Sequence, residues 1–291
     1  MIGSILGGAF RLLRQHPLSV LVWSILYLAG IFAIGLLRIA IAPAAPDGVA
    51  AALLPALLTQ TLTIALIAVL ITAATRATLH PYKRGAFYLR LGANELRVFA
   101  LLAMLTIGSG VVLFLLALAN GFVLGLLGWL LPNESARQLL AALLFVAELA
   151  AFVFVQTRLA IALPLTYLYE AITVDEAWAQ SRGHFWSIFG AFAVIALLLC
   201  TAGLALLALF FLPTLALLAQ SGLNGTAIVQ TLLMLVIAAK NLPILAQLVL
   251  VVGLLVLMAL SFVLNTATLA SAARMMLGLK DGQIEDLRRQ R

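Results

Sequence analysis

Residues 156–186, QTRLAIALPLTYLYEAITVDEAWAQSRGHFW, differ from the long apolar runs on both sides of them. This segment, called the elbow below, collects charged and aromatic side chains: Arg158, Glu170, Asp175, Glu176, Trp178, Arg182, His184, Phe185 and Trp186. Pro164 predicts a break in the helix that enters it. We interpret the elbow as a cytoplasm-side connection in which a membrane helix ends, an amphipathic helix follows the bilayer surface, and the next membrane helix begins.

The composition around the elbow is that of an integral membrane protein. Apolar residues make up 65% of the chain and charged residues only 9%, whereas soluble domains carry roughly 25% charged residues. The mean hydropathy is +1.20, and several uncharged runs exceed the roughly 18 residues that indicate a transmembrane helix. The sequence therefore predicts an all-α, polytopic membrane protein in which residues 1–291 form a single domain.

Six transmembrane helices are predicted. They cover approximately residues 18–37, 52–75, 98–118, 139–156, 188–212 and 245–269. Residues 1–16 precede them as an interfacial amphipathic helix, and residues 274–291 follow as a polar cytoplasmic tail. Within residues 214–242 the apolar run is too short to cross a bilayer, so we expect a re-entrant or interfacial helix on the outer side.

Positively charged residues determine the predicted orientation. Six spans place both termini on one side, and if that side is cytoplasmic, it receives all but three of the 17 Lys and Arg residues. The exceptions are Arg38, Arg137 and Lys240. Basic residues are enriched in cytoplasmic loops, so the net charge of +7 reflects topology rather than a nucleic-acid partner. We predict a multi-pass protein of the bacterial inner membrane with cytoplasmic termini.

The chain also shows a weak internal repeat. A polar and aromatic segment precedes a helical hairpin three times, at residues 10–14, 87–91 and 178–186. The ends of the hairpins match loosely as well, with Thr75-Arg76, Thr157-Arg158 and Thr266-Ala267 in corresponding places. We hypothesise three elbow-plus-hairpin copies inserted in the same orientation, unlike the inverted repeats of many transporters.

The elbow resembles the signature of a bacterial membrane-protein family. The resemblance is carried by Arg158, Leu159, Ala162, Pro164, Glu176, Ala177, Trp178, Ser181, Arg182, Gly183, Phe185 and Trp186, with Gln180 where leucine is expected. The pattern is similar to that of the glycerophosphoryl diester phosphodiesterase membrane-domain family and related six-span proteins of unknown function. This resemblance implies a lipid-facing membrane module that lacks the soluble phosphodiesterase domain of some relatives.

The elbow supplies the first candidate site. Arg158, Arg182 and His184 could hold a lipid phosphate at the inner leaflet, as basic pockets between helices do. Trp178, Phe185 and Trp186 would frame that site. The alternative is ordinary anchoring, in which cations and aromatic rings lie in the headgroup layer without a specific ligand.

Glu148 supplies the second candidate site, because it lies in the middle of the fourth span. A charged residue at that depth costs roughly 2.5–3.5 kcal/mol on insertion scales and is a functional hypothesis by default. It could bind a proton or a substrate, or it could be a hydrogen-bonded carboxyl packed between helices. Further polar and small residues are expected to join helices by hydrogen bonds or close packing: Asn120, Gln156 and Asn265, and Gly108, Gly110, Gly121, Gly125 and Gly128.

Motifs of known enzyme classes do not occur in the sequence. His16, His80 and His184 lack the spacing of zinc ligands, and neither a phosphate-binding loop nor a Gly-x-Ser-x-Gly motif is present. We therefore predict a non-enzymatic module, without metal or cofactor, that contacts membrane phospholipids or partner membrane proteins through the elbow. The alternative prediction is a transporter or lipid flippase that uses Glu148.

Overall fold

A computed structural model describes residues 1–41, 49–79, 86–130, 133–220 and 225–278. Within these ranges the chain is helical apart from short connections, and it contains no strand. The helices are α1 (Ile2–Gln15), α2 (Pro17–Ile41), α3 (Val49–Leu79), a 3-10 turn (Ala86–Tyr88), α4 (Ala93–Leu130), α5 (Glu134–Ala160), α6 (Ala162–Tyr169), α7 (Val174–Gln180), α8 (Phe185–Gln220), α9 (Gly225–Lys240) and α10 (Ile244–Met276). The predicted all-α class is confirmed.

Among the described residues, six helical stretches are long and apolar enough to cross a membrane, as predicted. They are Pro17–Ile41, Leu53–Leu79, Ala93–Leu126, Glu134–Tyr169, Phe185–Leu212 and Ile244–Met276. Most extend beyond the predicted bounds, and α4 reaches 38 residues. The glycine-containing sequence after residue 118 stays helical, because a helix keeps its backbone hydrogen bonds inside the segment when water is absent.

The buried core lies at one end of the helix bundle. It is built from α1, the last turns of α3, the first turns of α4, the elbow, and the second half of α10, in which residues 266–273 are all buried. Residue 1 reaches the start of α8, where Ser187 Oγ lies 3.9 Å from Met1 Sδ. The elbow therefore lies at the same end as residue 1 and the end of α10, as predicted. We call this the elbow end.

The opposite half of the bundle is open. In the most apolar window of the α5 span no residue is buried, and in those of the α2 and α4 spans the buried share is 6%. Large apolar side chains such as Phe114, Phe145 and Leu209 are exposed there. Lipid chains are as apolar as these side chains, so exposed apolar surface is expected where helices face the bilayer rather than one another.

Helix α1 is amphipathic, but its apolar stripe packs partly on protein. Ile5, Ala9 and Leu12 are buried, and α1 lies against α8 and α10. Gly8 permits the closest approach, because a Cβ on it would lie 2.5 Å from Ser271 Oγ. The exposed remainder includes Arg11 and Arg14. The predicted interfacial helix is thus docked on the bundle rather than held by the bilayer alone.

The region between the fifth and sixth spans also follows the prediction in part. Helix α8 is interrupted at Phe211 (φ −130°, ψ 24°), two residues before Pro213, and then continues to Gln220. Helix α9 has 16 residues, packs on α8, and is not among the stretches long enough to cross a membrane. It leads into α10 at the end opposite the elbow.

The predicted role of several glycines is wrong. A Cβ built on Gly108, Gly110, Gly121 or Gly125 would meet no atom within 4 Å, and Gly128 lies only against the flexible Arg137 side chain. The tight glycine contacts occur elsewhere, at Gly8, Gly30, Gly190 and Gly253. Sequence composition marks a helix as glycine-rich but does not show which of its faces meets a neighbour.

Candidate functional site: two arginine clusters at the elbow end

The elbow begins as a continuation of α5. Ile161, which joins α5 to α6, has helical angles (φ −69°, ψ −20°), and Pro164 lies in the first turn of α6. Proline is tolerated in a first turn because the N–H it lacks would have no helical partner there. The predicted break at Pro164 is therefore wrong. The chain turns instead at Glu170, which has left-handed angles (φ 54°, ψ 27°).

Helix α6 is buried rather than laid on the bilayer surface. Residues 162–168 are all buried, and they pack among α3, α4 and α10. The sequence ALPLTYLY contains no charged side chain that would keep it in the headgroup layer. The prediction of a surface amphipathic helix is wrong for α6. It describes α7, where Asp175 and Glu176 are exposed and Ala177 is buried.

Arg158 connects α5 to α7 and is 8% exposed. Its Nε donates a hydrogen bond to Ser181 Oγ at 2.9 Å, and its Nη2 donates to the Trp178 carbonyl. The guanidinium carbon lies 3.8 Å from the Trp178 ring centroid and 5.5 Å from that of Phe154. We call these four residues the Arg158 cluster. Its contacts are all with neutral groups.

Among the residues that the structure describes, the Arg158 cluster has no acidic partner. In the part of the chain that the structure describes, no carboxylate pairs with Arg158, and its Nη1 donates no hydrogen bond. Stacking on an aromatic face attracts a cation and contributes about 2 kcal/mol when the pair is desolvated. That attraction positions the guanidinium, but no carboxylate of the described residues balances its positive charge.

A second arginine cluster was not identified as a site from the sequence. Arg76, near the end of α3, forms an ion pair with Glu95 through Nη2 and donates from Nη1 to the Tyr88 carbonyl. Its Nε lies 3.3 Å from Tyr167 Oη, and its guanidinium carbon lies 5.6 Å from the Tyr167 ring centroid. We call these four residues the Arg76 cluster. The sequence did offer one indication of this cluster, because Glu95 is the acidic residue in the strongly basic segment 76–97.

The Arg76 cluster holds a strained stretch of backbone. Phe87 and Tyr88 both have positive φ (52° and 62°), a conformation that costs a non-glycine residue about 1–2 kcal/mol. The Phe87 carbonyl accepts a hydrogen bond from Trp23 Nε1 at 2.8 Å, and Arg76 binds the next carbonyl. These bonds fix the 3-10 turn between α2, α3 and α4.

The two clusters occupy corresponding places in the proposed repeat. Each arginine lies near the end of a hairpin and binds the carbonyl of an aromatic residue, Tyr88 or Trp178, in the segment that precedes the next hairpin. The third position is Ala267, which is fully buried in a core cluster with Ala9 of α1. Helix α1 thus meets the third hairpin where the other two meet an arginine cluster, which supports three related units.

The remaining elbow residues divide into an inner and an outer group. The Phe185 ring lies 4.9 Å from that of Phe154, and so belongs beside the Arg158 cluster. Arg182 is exposed, Trp186 is 75% exposed, and His184 is partly buried with Nδ1 3.1 Å from the Arg182 carbonyl oxygen. The structure therefore separates the predicted site into a buried arginine and an outward cation with an aromatic neighbour.

Glu148 lies at the contact between α4 and α5 and is partly buried. Asn120 Nδ2 donates a hydrogen bond to Glu148 Oε2 at 2.6 Å, and Gln156 Nε2 donates to Ser109 Oγ at 2.5 Å. The predicted interhelical bonds of Asn120 and Gln156 are confirmed. That of Asn265 is wrong, because it donates to the Ser261 carbonyl in its own helix at 2.8 Å.

The fold and these sites define a multi-pass helical membrane protein. No model of a known protein family, no curated protein and no solved structure matches the chain. The resemblance of the elbow to a known membrane family therefore stays a prediction. Among the residues that the structure describes, no three His, Cys, Asp or Glu side chains are grouped so that they could hold a metal ion.

Proposed function

We propose that this protein is a non-enzymatic component of the bacterial inner membrane that binds anionic phospholipid at the elbow. The observation that carries the proposal is the Arg158 guanidinium, which is nearly buried and has no carboxylate partner among the described residues. A lipid phosphate would supply the missing negative charge. Arg182 and Trp186, exposed on the same elbow, would contact the headgroup and the upper part of the acyl chains.

The comparison with Arg76 supports a ligand for Arg158. A buried charge is strongly destabilising when nothing compensates it, and Arg76 is compensated by Glu95. Arg158 has the aromatic stacking and the carbonyl bond, but no carboxylate among the described residues pairs with it. Guanidinium groups bind phosphate oxygens through charge-assisted, frequently bidentate hydrogen bonds, so phosphate fits the free Nη1 side chemically.

The distribution of charge supports a cytoplasmic elbow end. Arg11, Arg14, Arg90 and Arg182 are exposed at that end, and basic residues accumulate on the cytoplasmic side of membrane proteins. The cytoplasmic leaflet carries anionic lipids, which attract such residues by about 1 kcal/mol each. Of the predicted tail at residues 274–291, the first three residues continue α10. Residues 279–291, like Lys83 and Arg84, lie outside the described residues. The resemblance of the elbow to a lipid-facing family is consistent with this proposal.

Lipid retention measured by native mass spectrometry tests the proposal. The purified protein would be loaded with phosphatidylglycerol or phosphatidylcholine, and R158Q and R182A would be compared with R38A, an exposed arginine at the opposite end. A hydrogen bond to a charged group contributes about 1.5–3 kcal/mol, so we expect at least about tenfold weaker phosphatidylglycerol binding in R158Q. Equal retention in all four proteins would refute the proposal, and a co-purifying protein released by R182A would favour a protein partner instead.

A further inference from the structure

The three hairpins can be compared at one depth in the bilayer. Positions 76, 158 and 267 correspond in the proposed repeat, and ten residues before them lie Leu66, Glu148 and Leu257. Ten helical residues span about 15 Å, which places all three in the hydrocarbon layer above the elbow end. Each of them faces the first helix of its own hairpin.

The contacts at this depth differ in only one hairpin. A Cβ on Gly30 would lie 2.5 Å from Leu66 Cδ2, and one on Gly203 would lie 4.0 Å from Leu257 Cδ1. In the first hairpin a leucine therefore lies tightly against a glycine, and in the third hairpin the same pair of residue types is in ordinary van der Waals contact. In the second hairpin Asn120 and Glu148 stand in these places and form a hydrogen bond of 2.6 Å.

The cost of inserting a charged residue exceeds what the hydrogen bond between Asn120 and Glu148 contributes to helix association. A charged residue in a span costs roughly 2.5–3.5 kcal/mol, while interhelical hydrogen bonds in membranes contribute about 0.6 kcal/mol on average and about 1.7 kcal/mol at most. In the first and third hairpins, an apolar contact between leucine and glycine joins the two helices at this depth. The pair therefore weakens the bilayer insertion of α5 without a matching gain in stability.

We infer that Glu148 is a proton-binding site within the hydrocarbon layer. Its Oε2 accepts from Asn120, and no donor among the described residues bonds to Oε1. Metal ions such as Ca²⁺ require six to eight oxygen ligands and Mg²⁺ requires octahedral coordination, which Glu148 and Asn120 cannot supply. A proton needs one oxygen. The inference is independent of lipid binding at the elbow. In the alternative prediction of a transporter or flippase, Glu148 would be the group that carries the proton.

Few charged groups face Glu148. Helix α4 presents no titratable side chain between Arg97 and Leu130, and the nearest charges on α5 are Arg137 and Arg158, each about 15 Å away along the helix. The other elements that pack on α5 do so at the elbow end. Among the described residues, Asn120 is thus the polar group that contacts Glu148.

Dicyclohexylcarbodiimide, an apolar reagent for protonated carboxyl groups, tests the inference in reconstituted membranes. The carboxyl oxygen adds to the carbodiimide carbon and the carboxyl proton moves to nitrogen, and the adduct then rearranges to a stable N-acylurea without a leaving group. We expect mass spectrometry of the digested protein to find the adduct on Glu148. E148Q should abolish it, and Glu134, which is exposed and paired with Arg137 at the opposite end, should remain unmodified.

A second variant separates a binding role from a structural one. N120G/E148L gives the second hairpin the same residue pair as the other two, so we expect an unchanged melting temperature and complete loss of the adduct. Absence of the adduct from the folded wild-type protein would overturn the inference. A double variant that melts lower than E148Q, or does not fold, would show that the pair is structural and would overturn it as well.

Discussion

The Arg76 and Arg158 clusters have the same backbone role but differ in charge balance. Each arginine lies near the end of a hairpin, stacks on an aromatic ring, and binds the carbonyl of Tyr88 or Trp178. Glu95 completes the first cluster. The second cluster is completed by Ser181, a neutral hydroxyl. Both places hold an arginine, and of the two only Arg76 has a carboxylate partner among the described residues.

This difference separates a structural ion pair from a ligand-binding cation. The Arg76 cluster is closed on itself, with its charges cancelled and its guanidinium bonded through all three nitrogens. Among the described residues the Arg158 cluster has no such counter-charge, and Arg182, which follows Ser181 in the sequence, is exposed. If the comparison is right, variants in the first cluster should mainly affect stability, and variants in the second should mainly affect lipid binding.

The largest effect on stability is expected from R76M. It leaves the Glu95 carboxylate buried without a partner, and breaking a buried pair in this way costs about 3–5 kcal/mol. Chemical unfolding in detergent micelles measures this loss. The matched variant R76M/E95L removes both charges and should recover much of it. The same stability for R76M and R158M would mean that the two clusters do not differ as described.

R158M should destabilise the protein less, by at most about 2 kcal/mol, because the lost cation–π stacking and hydrogen bonds are partly offset by the removal of a buried charge that has no carboxylate partner among the described residues. The Trp178 carbonyl keeps a partner, since Ser181 Oγ also donates to it at 3.1 Å. The same unfolding assay measures this change. A loss above that of R76M would point to a hidden anionic partner for Arg158 within the chain.

W178F should have a smaller effect still. Phenylalanine keeps an aromatic face under the Arg158 guanidinium, but its quadrupole attracts a cation more weakly than that of tryptophan, so we expect a loss of about 0.5–1 kcal/mol. W178L is the control, because it removes the ring altogether and should cost more. If both variants unfold alike, stacking contributes little to the position of Arg158.

The smallest change in stability is expected from R182A. Exposed substitutions away from packed features usually change stability by less than about 0.5 kcal/mol, and Arg182 is exposed. Its phosphatidylglycerol retention should nevertheless fall, which stability alone would not explain. A large drop in melting temperature would instead assign Arg182 a structural role.

The helical spans were predictable because each depends on the average composition of a long segment rather than on single residues. Each of the six spans is an apolar run of about 18 residues or more, and the strong asymmetry of Lys and Arg predicted that the elbow lies at the same end as residue 1 and the end of α10. Local departures were harder to anticipate. Helix α6 was expected at the surface because it joins two spans, although its uncharged sequence already indicated burial.

The Arg158 cluster could be predicted in part from the sequence, whereas the Arg76 cluster and the Asn120–Glu148 pair could not. Arg158, Trp178 and Ser181 lie close in sequence, so their association within one elbow could be anticipated. Glu95 and Tyr167 are 19 and 91 residues from Arg76, and only the packing of α3, α4 and α6 brings them together. The Asn120–Glu148 pair likewise depends on which faces of α4 and α5 meet, which apolar helices without a clear periodicity do not reveal.

The most direct measurement places a carboxylate inside the Arg158 cluster. Ser181 is fully buried with its Oγ 2.9 Å from Arg158 Nε, so S181D supplies the counter-charge that Glu95 provides to Arg76, and S181N is a neutral control of equal size. We expect phosphatidylglycerol retention in native mass spectrometry to fall in S181D and to persist in S181N. Undiminished retention in folded S181D would contradict the proposal that Arg158 binds the lipid phosphate.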